Sequence, residues 1–447
     1  MSTQQLRHAT RRAIAIAGAI IVTTGALAAC SSQPQSSGKT VQINVVLHDN
    51  PPTDAAFKTL TANFEKANPT IKVNLDFIPS ANYAAVRTSR LAAKQVDVTE
   101  GVSGSAAVPL PSYVKNTPQS DWVAGVDAGN WVDLTGQPFL KNFIPSAMSS
   151  LEVKGKSYQV PTDFSYENLV YYNKDLFKKA GVTIPKTWNQ FKNVLAKLKA
   201  QGITPMSLGG KDGWPAGLGG IGIMQSLYPT TQDMNNLDQG LWEGDVKLNS
   251  GKFVTAANEV KTLFDNTDPT FPGVDYATAE GQFASGSVAM TTDGSWAASQ
   301  FLTTNPSLKM GVFPLPGSNV AKDNGHLGGK IDTTFAIPSS SKHKAAAIKW
   351  LAFFADKKNY AAYAKTGGVI PTESGVPLAA SVSSLKPYIN DTFYLAWDQV
   401  FIPNPKAGSN VGGIGVNYMG LAPLGSLATP QAAQDAAQTD WAAGLTQ

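Results

Sequence analysis

Hydrophobic and polar residues alternate along the first part of the chain in a way that predicts strands and helices in turn. The stretch VQINVV, beginning at Val41, alternates and then becomes fully apolar, as a strand entering a buried sheet does. Residues 53–68 repeat apolar side chains with a helical period, and the alternating IKVNLDF from Ile71 predicts the next strand. A second predicted helix over 83–93 leads into QVDVT, a third strand. This β-α-β-α-β order favours a parallel sheet covered by helices, and hence an α/β fold.

The middle of the chain continues the same alternation. The segment SYQVPTDFSYENLVYYNKDLFKKAG predicts a strand followed by a helix. Thr187 and Gln190 form a capping-box pattern, and Trp188 lies on the apolar face of the helix that follows. The same helical spacing makes Trp350 a core residue. Further helices are predicted over 255–265 and 343–356, and further strands near 288–291, 310–312 and 334–337.

The composition is that of a well-folded globular protein. The chain has 447 residues, of which 43% are hydrophobic and 15% charged, enough for two or three domains with buried cores. Its formal net charge of +4 falls to +1 without the three arginines of residues 1–29. Such a chain lacks the basic surface that nucleic acid requires, so we expect no nucleic-acid partner.

The N-terminus is typical of an export signal. Residues 1–29 begin with basic side chains and continue into an apolar run that is shorter than the ~20 residues of a membrane-spanning helix. A cleaved secretory signal is therefore predicted, with a transmembrane anchor as the alternative. Residues 30–40, which include SSQPQSSGKT, are poor in apolar side chains and predict a flexible tether before the folded body.

Cys30 is the only cysteine of the chain, so an internal disulfide is impossible. Together with the preceding Leu-Ala-Ala, it resembles the lipobox of bacterial lipoproteins. The resemblance implies that Cys30 is lipidated, that cleavage occurs before it, and that the protein stays on the outer face of the cell membrane. A plain signal with an unrelated cysteine is the alternative. The pair Arg11–Arg12 also suggests export through the twin-arginine route.

The sequence has no motif of a catalytic or metal site. His48, His326 and His343 are not spaced as metal-binding pairs, and the chain has no cysteine besides Cys30 that could supply a thiolate ligand. No G-x-S-x-G, P-loop or G-x-G-x-x-G pattern occurs in the right setting. We therefore expect no metal and no cofactor, and a catalytic site would have to be built without a motif.

Aromatic and short polar residues gather instead at predicted loops and strand ends. Trp214, in the glycine-rich GGKDGWPAGLGG, shares no helical period with other apolar residues. Open α/β sheets bind ligands beyond the carboxyl ends of their strands. Aromatic faces beside carboxylates and amides suit a sugar, although turn or cap roles are the alternative for the carboxylates. The candidates for a ligand-binding cleft are Trp214, Asp163, Tyr166, Asp332, Asp49, Asn50 and, after the third strand, Asp97.

Trp296 is the most unusual of the aromatic residues. The stretch FASGSVAMTTDGSWAAS predicts a short strand over 287–291, a turn at Asp293–Gly294, and the tryptophan directly after that turn. A tryptophan outside any buried period, on the exposed side of a glycine turn, suggests that its ring is aimed at a ligand. Gly294 and Ser295 are assigned to the same site.

Four segments, in order, resemble a known family. The stretches ENLVYYNKDLFKKAGVTIPKTWNQF, FASGSVAMTTDGSWAAS, MGVFPLPG and IPSSSKHKAAAIKWLAFF are similar to extracellular solute-binding proteins of carbohydrate ABC transporters, the maltose-binding-protein-like class. The resemblance covers most of residues 41–375. In this family Trp296 falls at the position that stacks on the ligand, and Gly328 and Gly329 fall where the backbone approaches it. The chain departs from the family's Gly-x-Pro-Asp at AAKQVDVT, which contains Asp97.

The resemblance implies a type II periplasmic-binding-protein fold, an α/β fold of two lobes. Each lobe would be a mostly parallel sheet flanked by helices, and hinge crossovers would let the lobes close on a sugar. The implied N-terminal lobe is 41–160 with 311–356, the C-terminal lobe is 161–310 with 357–447, and the crossovers lie near 160–165, 309–314 and 355–360.

The function implied by the resemblance is that of a monomeric, lipid-anchored receptor. It would capture a sugar or oligosaccharide outside the cytoplasm and deliver it to the permease of an ABC transporter, with no enzymatic activity of its own. Three alternatives stay open on the sequence. They are a secreted glycoside hydrolase, whose cleft would also hold carboxylates, a binding protein for another polar solute such as a glycerophosphodiester, and a structural envelope lipoprotein.

Overall fold

The computed structural model describes residues 40–389 and 393–446. The predicted signal segment, Cys30 and residues 30–39 of the predicted tether lie outside these residues. No helix within the described part is both long enough and apolar enough to cross a membrane.

Strands and helices alternate along the described residues, as the hydrophobic pattern predicts. The strands are β1 (Val41–His48), β2 (Ile71–Ile78), β3 (Val98–Glu100), β4 (Val160–Pro161), β5 (Asp163–Tyr166), β6 (Leu169–Asn173), β7 (Thr204–Ser207), β8 (Val288–Asp293), β9 (Met310–Pro314), β10 (Gly328–Ile331), β11 (Thr334–Ala336), β12 (Ile370–Pro371) and β13 (Tyr394–Leu395). The α-helices are α1 (Pro51–Ala67), α2 (Ser80–Ala92), α3 (Asp121–Asp127), α4 (Pro145–Ser149), α5 (Lys174–Ala180), α6 (Trp188–Ala200), α7 (Trp214–Leu227), α8 (Thr231–Glu243), α9 (Gly251–Phe264), α10 (Tyr276–Ala284), α11 (Ala297–Thr304), α12 (Lys344–Phe354), α13 (Lys357–Gly367), α14 (Trp397–Val400) and α15 (Pro430–Thr446).

The first sheet has the strand order β2-β1-β3-β11-β4. β1 pairs in parallel with β2 and with β3. This confirms the predicted β-α-β-α-β unit, because parallel neighbours need a crossover and α1 and α2 provide it. β11 comes from much later in the chain and runs antiparallel to β3 and β4. Phe64 of α1 and Trp350 of α12 are fully buried in the core beneath this sheet, as predicted for Trp350.

The second sheet has the order β7-β8-β6-β9 and is mixed rather than mostly parallel. β7 and β8 are parallel, whereas β6 runs antiparallel to both β8 and β9. Alternating strands and helices favour parallel pairing of strands that follow each other. Here β6 instead lies between two strands from more than 100 residues later. Trp188 of α6 is buried in the core of this sheet, which confirms its predicted role.

A small connecting sheet, with the order β12-β5-β10-β13, lies along the chain between the other two. The chain leaves the first sheet after β4 and enters the connecting sheet at β5, so Thr162 is the passage. It returns from β10 to β11 through Asp332 and Thr333. The two passages touch, because the Thr162 backbone N donates to the Thr333 carbonyl oxygen at 2.9 Å.

Two of the expected lobe boundaries are wrong. β9 pairs with β6 along Met310–Pro314, so these residues belong to the second sheet and contain no crossover. α13 packs against α1, and its Tyr360 and Tyr363 are buried in the core of the first sheet. The hydrophobic period located these elements, but it does not show which sheet a strand or helix joins. The crossover expected near 160–165 does contain the passage at Thr162.

Candidate functional site

The candidate site lies on one face of the connecting sheet. Side chains alternate along a strand, so Asp163 and Ser165 share a face of β5, and Lys330 of β10 pairs with Ser165 on that face. Asp332 joins them, since the Ser165 hydroxyl donates to Asp332 Oδ1 at 3.2 Å. We call these four side chains the site floor. A narrow cleft beside them is lined by Asn50, Thr53, Asp163, Phe164, Ser165, Ser295, Trp296, Asp332, Gly367, Gly368 and Val369.

Trp296 borders this cleft just before α11. Its indole Nε1 donates to the Tyr276 hydroxyl at 2.8 Å, and that hydroxyl donates to Asp293 Oδ1 at 3.0 Å. The ammonium of Lys330 lies 5.4 Å from the ring centroid. The indole is half-buried and packs against the cores on both sides of it, so it is less exposed than the glycine turn suggested. The ring is therefore held in a fixed orientation at the cleft.

The turn before Trp296 is fixed to the connecting sheet. The Ser295 backbone N donates to the Tyr166 carbonyl oxygen at 2.9 Å, and the Tyr166 backbone N donates to Ser295 Oγ at 3.0 Å. A Cβ at Gly294 would collide with the Trp296 ring, and a Cβ at Gly329 would collide with the Ser165 carbonyl oxygen. Both glycines are thus needed for the close approach of ring and strands at the cleft.

The floor carries two carboxylates whose environments differ. Asp163 is 3% exposed and its Oδ1 accepts a hydrogen bond from the Tyr363 hydroxyl at 2.9 Å. Burial, and then the charge of Asp332, raise the pKa of Asp163 to about 8, although hydrogen bonds from Thr162 and Tyr363 act against this. Asp332 is half-buried and accepts from Ser165. Burial, with repulsion from Asp332 adding to it, therefore favours the protonated form of Asp163 near neutral pH.

Lys330 forms an ion pair with Glu167, whose Oε1 lies 2.8 Å from Nζ. Burial alone would lower the Lys330 pKa, but the charges of Glu167, Asp332 and Asp398 outweigh burial, and the pKa is raised. Burial raises the pKa of Glu167 to about 7, with Lys330 opposing and Asp398 adding to the rise. Glu167 thus lies between the Lys330 ammonium and the Asp398 carboxyl group. The Lys330 ammonium is therefore paired within the protein.

The end of β1 adds a second charged pair near the floor. His48 Nδ1 lies 2.8 Å from Glu100 Oε1. Burial would lower the His48 pKa, but the hydrogen bond and charge of Glu100 outweigh burial and raise this pKa to about 9. Asn50 lines the cleft, as predicted, and caps α1 without a side-chain bond. Asp49, one residue earlier, is exposed and does not line it.

The profile of the bacterial extracellular solute-binding protein family matches residues 49–361. The chain belongs to this family. It is 26% identical over 369 residues to a multiple sugar-binding protein of Streptococcus mutans, covering 81% of this chain and 83% of the relative. An uncharacterized ABC transporter extracellular-binding protein of Pyrococcus horikoshii is 23% identical over 330 residues, covering 72% of this chain and 69% of the relative.

Solved structures confirm the type II periplasmic-binding-protein fold for this solute-binding protein. Apo RafE from Streptococcus pneumoniae superposes with a TM-score of 0.68 at 22% identity, covering 91% of this chain and 98% of that one. A sugar transporter protein of Bacillus licheniformis in complex with stachyose superposes with a TM-score of 0.70 at 18% identity, covering 91% and 100%. At such identities the likeness establishes the fold.

Two predicted site residues of this solute-binding protein face elsewhere. Asp97 precedes β3 instead of following it, and its carboxylate accepts from the Asn44 backbone N at 2.9 Å and the Ser341 hydroxyl at 2.6 Å. It therefore supports the far end of the first sheet. Tyr166 lies on the face of β5 opposite Asp163 and Ser165, buried near Phe393. Asp97 was expected after its strand but lies before it, and Tyr166 lies inside β5, where alternation turns its side chain away from Asp163.

Trp214, predicted for the cleft, lies at the start of α7, is 46% exposed and is not among the residues that line the cleft. Its ring centroid lies 4.7 Å from that of Tyr276 and 6.3 Å from that of Trp296. Lys330, Glu167 and Asp398 were not predicted, and they meet from three separate segments of the chain. The one local feature of the sequence that pointed to this cluster is the position of Lys330 directly after Gly328 and Gly329. No group of three or more His, Cys, Asp and Glu in residues 40–389 and 393–446 is placed to hold a metal.

Proposed function

We propose that this solute-binding protein is the sugar receptor of an ABC transporter, anchored by a lipid on Cys30 to the outer face of the cell membrane. It captures a sugar or oligosaccharide by hinge closure and delivers it to the permease as a monomer without chemical change. The observation that carries this proposal is the cleft of a family member in which Trp296 stands beside Asn50, Asp163, Ser295 and Asp332. Relatives named for sugar binding and the fold shared with a stachyose complex support it.

The chemistry of the cleft suits a sugar. The C–H face of a pyranose stacks on an indole, and its hydroxyls need acceptors and donors at fixed positions. The hydroxyls of Ser165 and Ser295, the amide of Asn50 and the carboxylates of the floor provide such groups. The Trp296 ring is oriented in advance by its bond to Tyr276, so little side-chain freedom is lost on binding.

Closure follows from where these groups are attached. Asn50 and Thr53 belong to α1 and its cap, on the first sheet, whereas Ser295 and Trp296 follow β8 of the second sheet. A ligand that touches both sets binds the closed form more tightly than the open form, and this difference in affinity shifts the population towards closure. The permease would then recognise the closed form.

The test is a thermal-shift screen of the protein against mono-, di- and oligosaccharides, followed by small-angle scattering. A sugar present at 100 times its Kd should stabilise the folded form by about 2.7 kcal/mol, and should reduce the radius of gyration. Binding of glycerophosphodiesters but of no sugar would contradict the assignment of the ligand. A radius of gyration unchanged by a saturating sugar would contradict closure. New reducing ends released from an oligosaccharide during incubation would indicate a glycoside hydrolase.

A further inference from the structure

We propose that residues 103–120, which we call the strap, form a latch that holds the two sides of the cleft together and is released when the cleft opens. The inference rests on the closure described under the proposed function and adds the segment that restrains it. The strap leaves the first sheet after β3 and returns to it at α3. Between these points it packs on the core of the second sheet.

Both ends of the strap are fixed to the first sheet. Directly before it, the Val102 backbone N donates to Oε1 of Gln159, the residue that precedes β4, at 2.8 Å. Directly after it, Trp122 of α3 is buried in a cluster that includes Ala336 of β11. The strap therefore moves with the first sheet at both of its ends.

The middle of the strap is bound to the second sheet. The Tyr113 hydroxyl donates to Oδ2 of Asp238 in α8 at 2.9 Å, and this carboxyl group is fully buried. Its Oδ1 accepts from the Ile402 backbone N at 2.8 Å, which fixes it to the same core. The side chains of Leu110, Tyr113 and Val114 pack on this core as well. The strap thus adds a non-covalent link between two sheets that the passages join covalently.

The first residues of the strap lie on the cleft side of the connecting sheet. The Ser103 hydroxyl donates to Gln399 Oε1 at 3.3 Å, and Gln399 Nε2 donates to Asp398 Oδ2 at 2.7 Å. Asp398 is hydrogen-bonded to Glu167, which pairs with the ammonium of the site floor beside the cleft indole. The strap therefore crosses between the sheets at the cleft, so its contacts with the second sheet have to separate when the cleft opens.

The strap is also braced internally. The Leu110 backbone N donates to Gln119 Oε1 at 2.9 Å, and the Ser120 hydroxyl donates to the Ala106 carbonyl oxygen at 2.7 Å, so its outgoing and returning arms are tied together. Proline fixes the backbone angle φ, and the strap contains three prolines, Pro109, Pro111 and Pro118. A segment tied in this way has little slack, so opening breaks its contacts with the second sheet rather than extending it.

The test uses the ligand-free protein and so does not depend on which sugar binds. Tyr113→Phe removes the hydroxyl bond to Asp238, and the double variant Leu110→Ala/Tyr113→Phe also removes apolar contact with the second core. The hydroxyl bond alone should shift the balance between narrow and open forms by about two- to tenfold. We therefore expect small-angle scattering to show a larger radius of gyration for Tyr113→Phe, and a larger one still for the double variant.

Tyr83→Phe is the matched control. The Tyr83 hydroxyl lies 3.1 Å from Thr99 Oγ1, a contact between α2 and β3 that does not reach the second sheet. Its loss should lower the stability of the fold but leave the radius of gyration unchanged. An equal increase in the control and in Tyr113→Phe would overturn the latch, because general loosening of the fold would then explain both.

An unchanged or smaller radius of gyration in the double variant would also overturn the proposal. Tyr113→Phe keeps the ring and its packing, so it decides the question by itself if the double variant does not fold. The outcome is independent of the sugar screen. A screen that finds no sugar would contradict the proposed function while the strap variants still open, and a sugar could bind a protein whose radius of gyration does not respond to the strap.

Discussion

Truncation of Trp296 separates its two roles, contact with ligand and support of the fold. Trp296→Ala removes the indole from the cleft, the hydrogen bond to Tyr276 and the ring under Lys330. It also removes packing, because the half-buried ring touches the cores on both sides. We therefore expect both ligand affinity and the stability of the ligand-free protein to fall.

The magnitudes follow from the burial of the ring. An aromatic anchor in a desolvated cleft costs ~2–4 kcal/mol of binding free energy on truncation, roughly 30- to 1,000-fold in Kd. A fully buried tryptophan would cost ~3–5 kcal/mol of unfolding free energy. The half-buried ring should cost less, about 2–3 kcal/mol, its bond to Tyr276 included. Trp296→Phe keeps a stacking face and should lose only part of the affinity and about 1 kcal/mol of stability.

The assay pairs titration calorimetry of a sugar ligand with urea unfolding of the ligand-free protein. Trp188→Phe is the matched control, since Trp188 is buried in α6 beside Phe191 and does not line the cleft. This control should lower the urea midpoint and leave Kd unchanged. If Trp296→Ala lowered the midpoint as expected but bound the sugar with normal affinity, the ring would be only a core residue and its stacking role would be refuted.

Three further predictions concern the anchor, a link between segments and a buried acid. Cys30→Ala should release the protein from membranes or block its processing, with no effect on sugar affinity; a mutant that stays processed and membrane-bound would contradict the lipid anchor. The Tyr113 hydroxyl donates to the buried Asp238 at 2.9 Å, so Tyr113→Phe should lower the unfolding free energy by ~1–3 kcal/mol, and an unchanged urea midpoint would show that the link adds no stability. Burial raises the pKa of Glu259 from 4.5 to about 9, so its contribution to stability is lost as pH rises between these values. Glu259→Gln should therefore raise the melting temperature at pH 8 but hardly at pH 5, and equal shifts at both pH values would contradict the raised pKa.

Local patterns predicted the elements of the fold well, because burial imposes a period on each of them. The parallel unit of β1, β2 and β3, and the burial of Trp188 and Trp350, follow from periods of two and 3.6 residues. The mixed pairing of the second sheet did not follow. Its strands meet across more than 100 residues, and no local period records which neighbour a strand chooses.

The candidate site was predicted in part for the same reason. The glycine turn before Trp296 and the polar end of β1 at Asn50 are local signals, and both residues line the cleft. Tyr166 and Asp97 point elsewhere because Tyr166 lies within β5, on the face opposite Asp163, and Asp97 precedes β3 instead of following it. The pairing of Lys330 with Glu167 depends on β10 lying beside β5, a long-range contact that the sequence does not display.

The site floor and the passages between the sheets are parts of the same strands. Asp163 directly follows the passage at Thr162, and Asp332 directly precedes the passage at Thr333. These passages are joined by two bonds, since both the backbone N and the hydroxyl of Thr162 donate to the Thr333 carbonyl oxygen. A ligand that binds the floor carboxylates therefore acts within one residue of the passages. Substitution of either acid should then change the extent of closure, measured as the radius of gyration at saturating ligand, as well as the affinity.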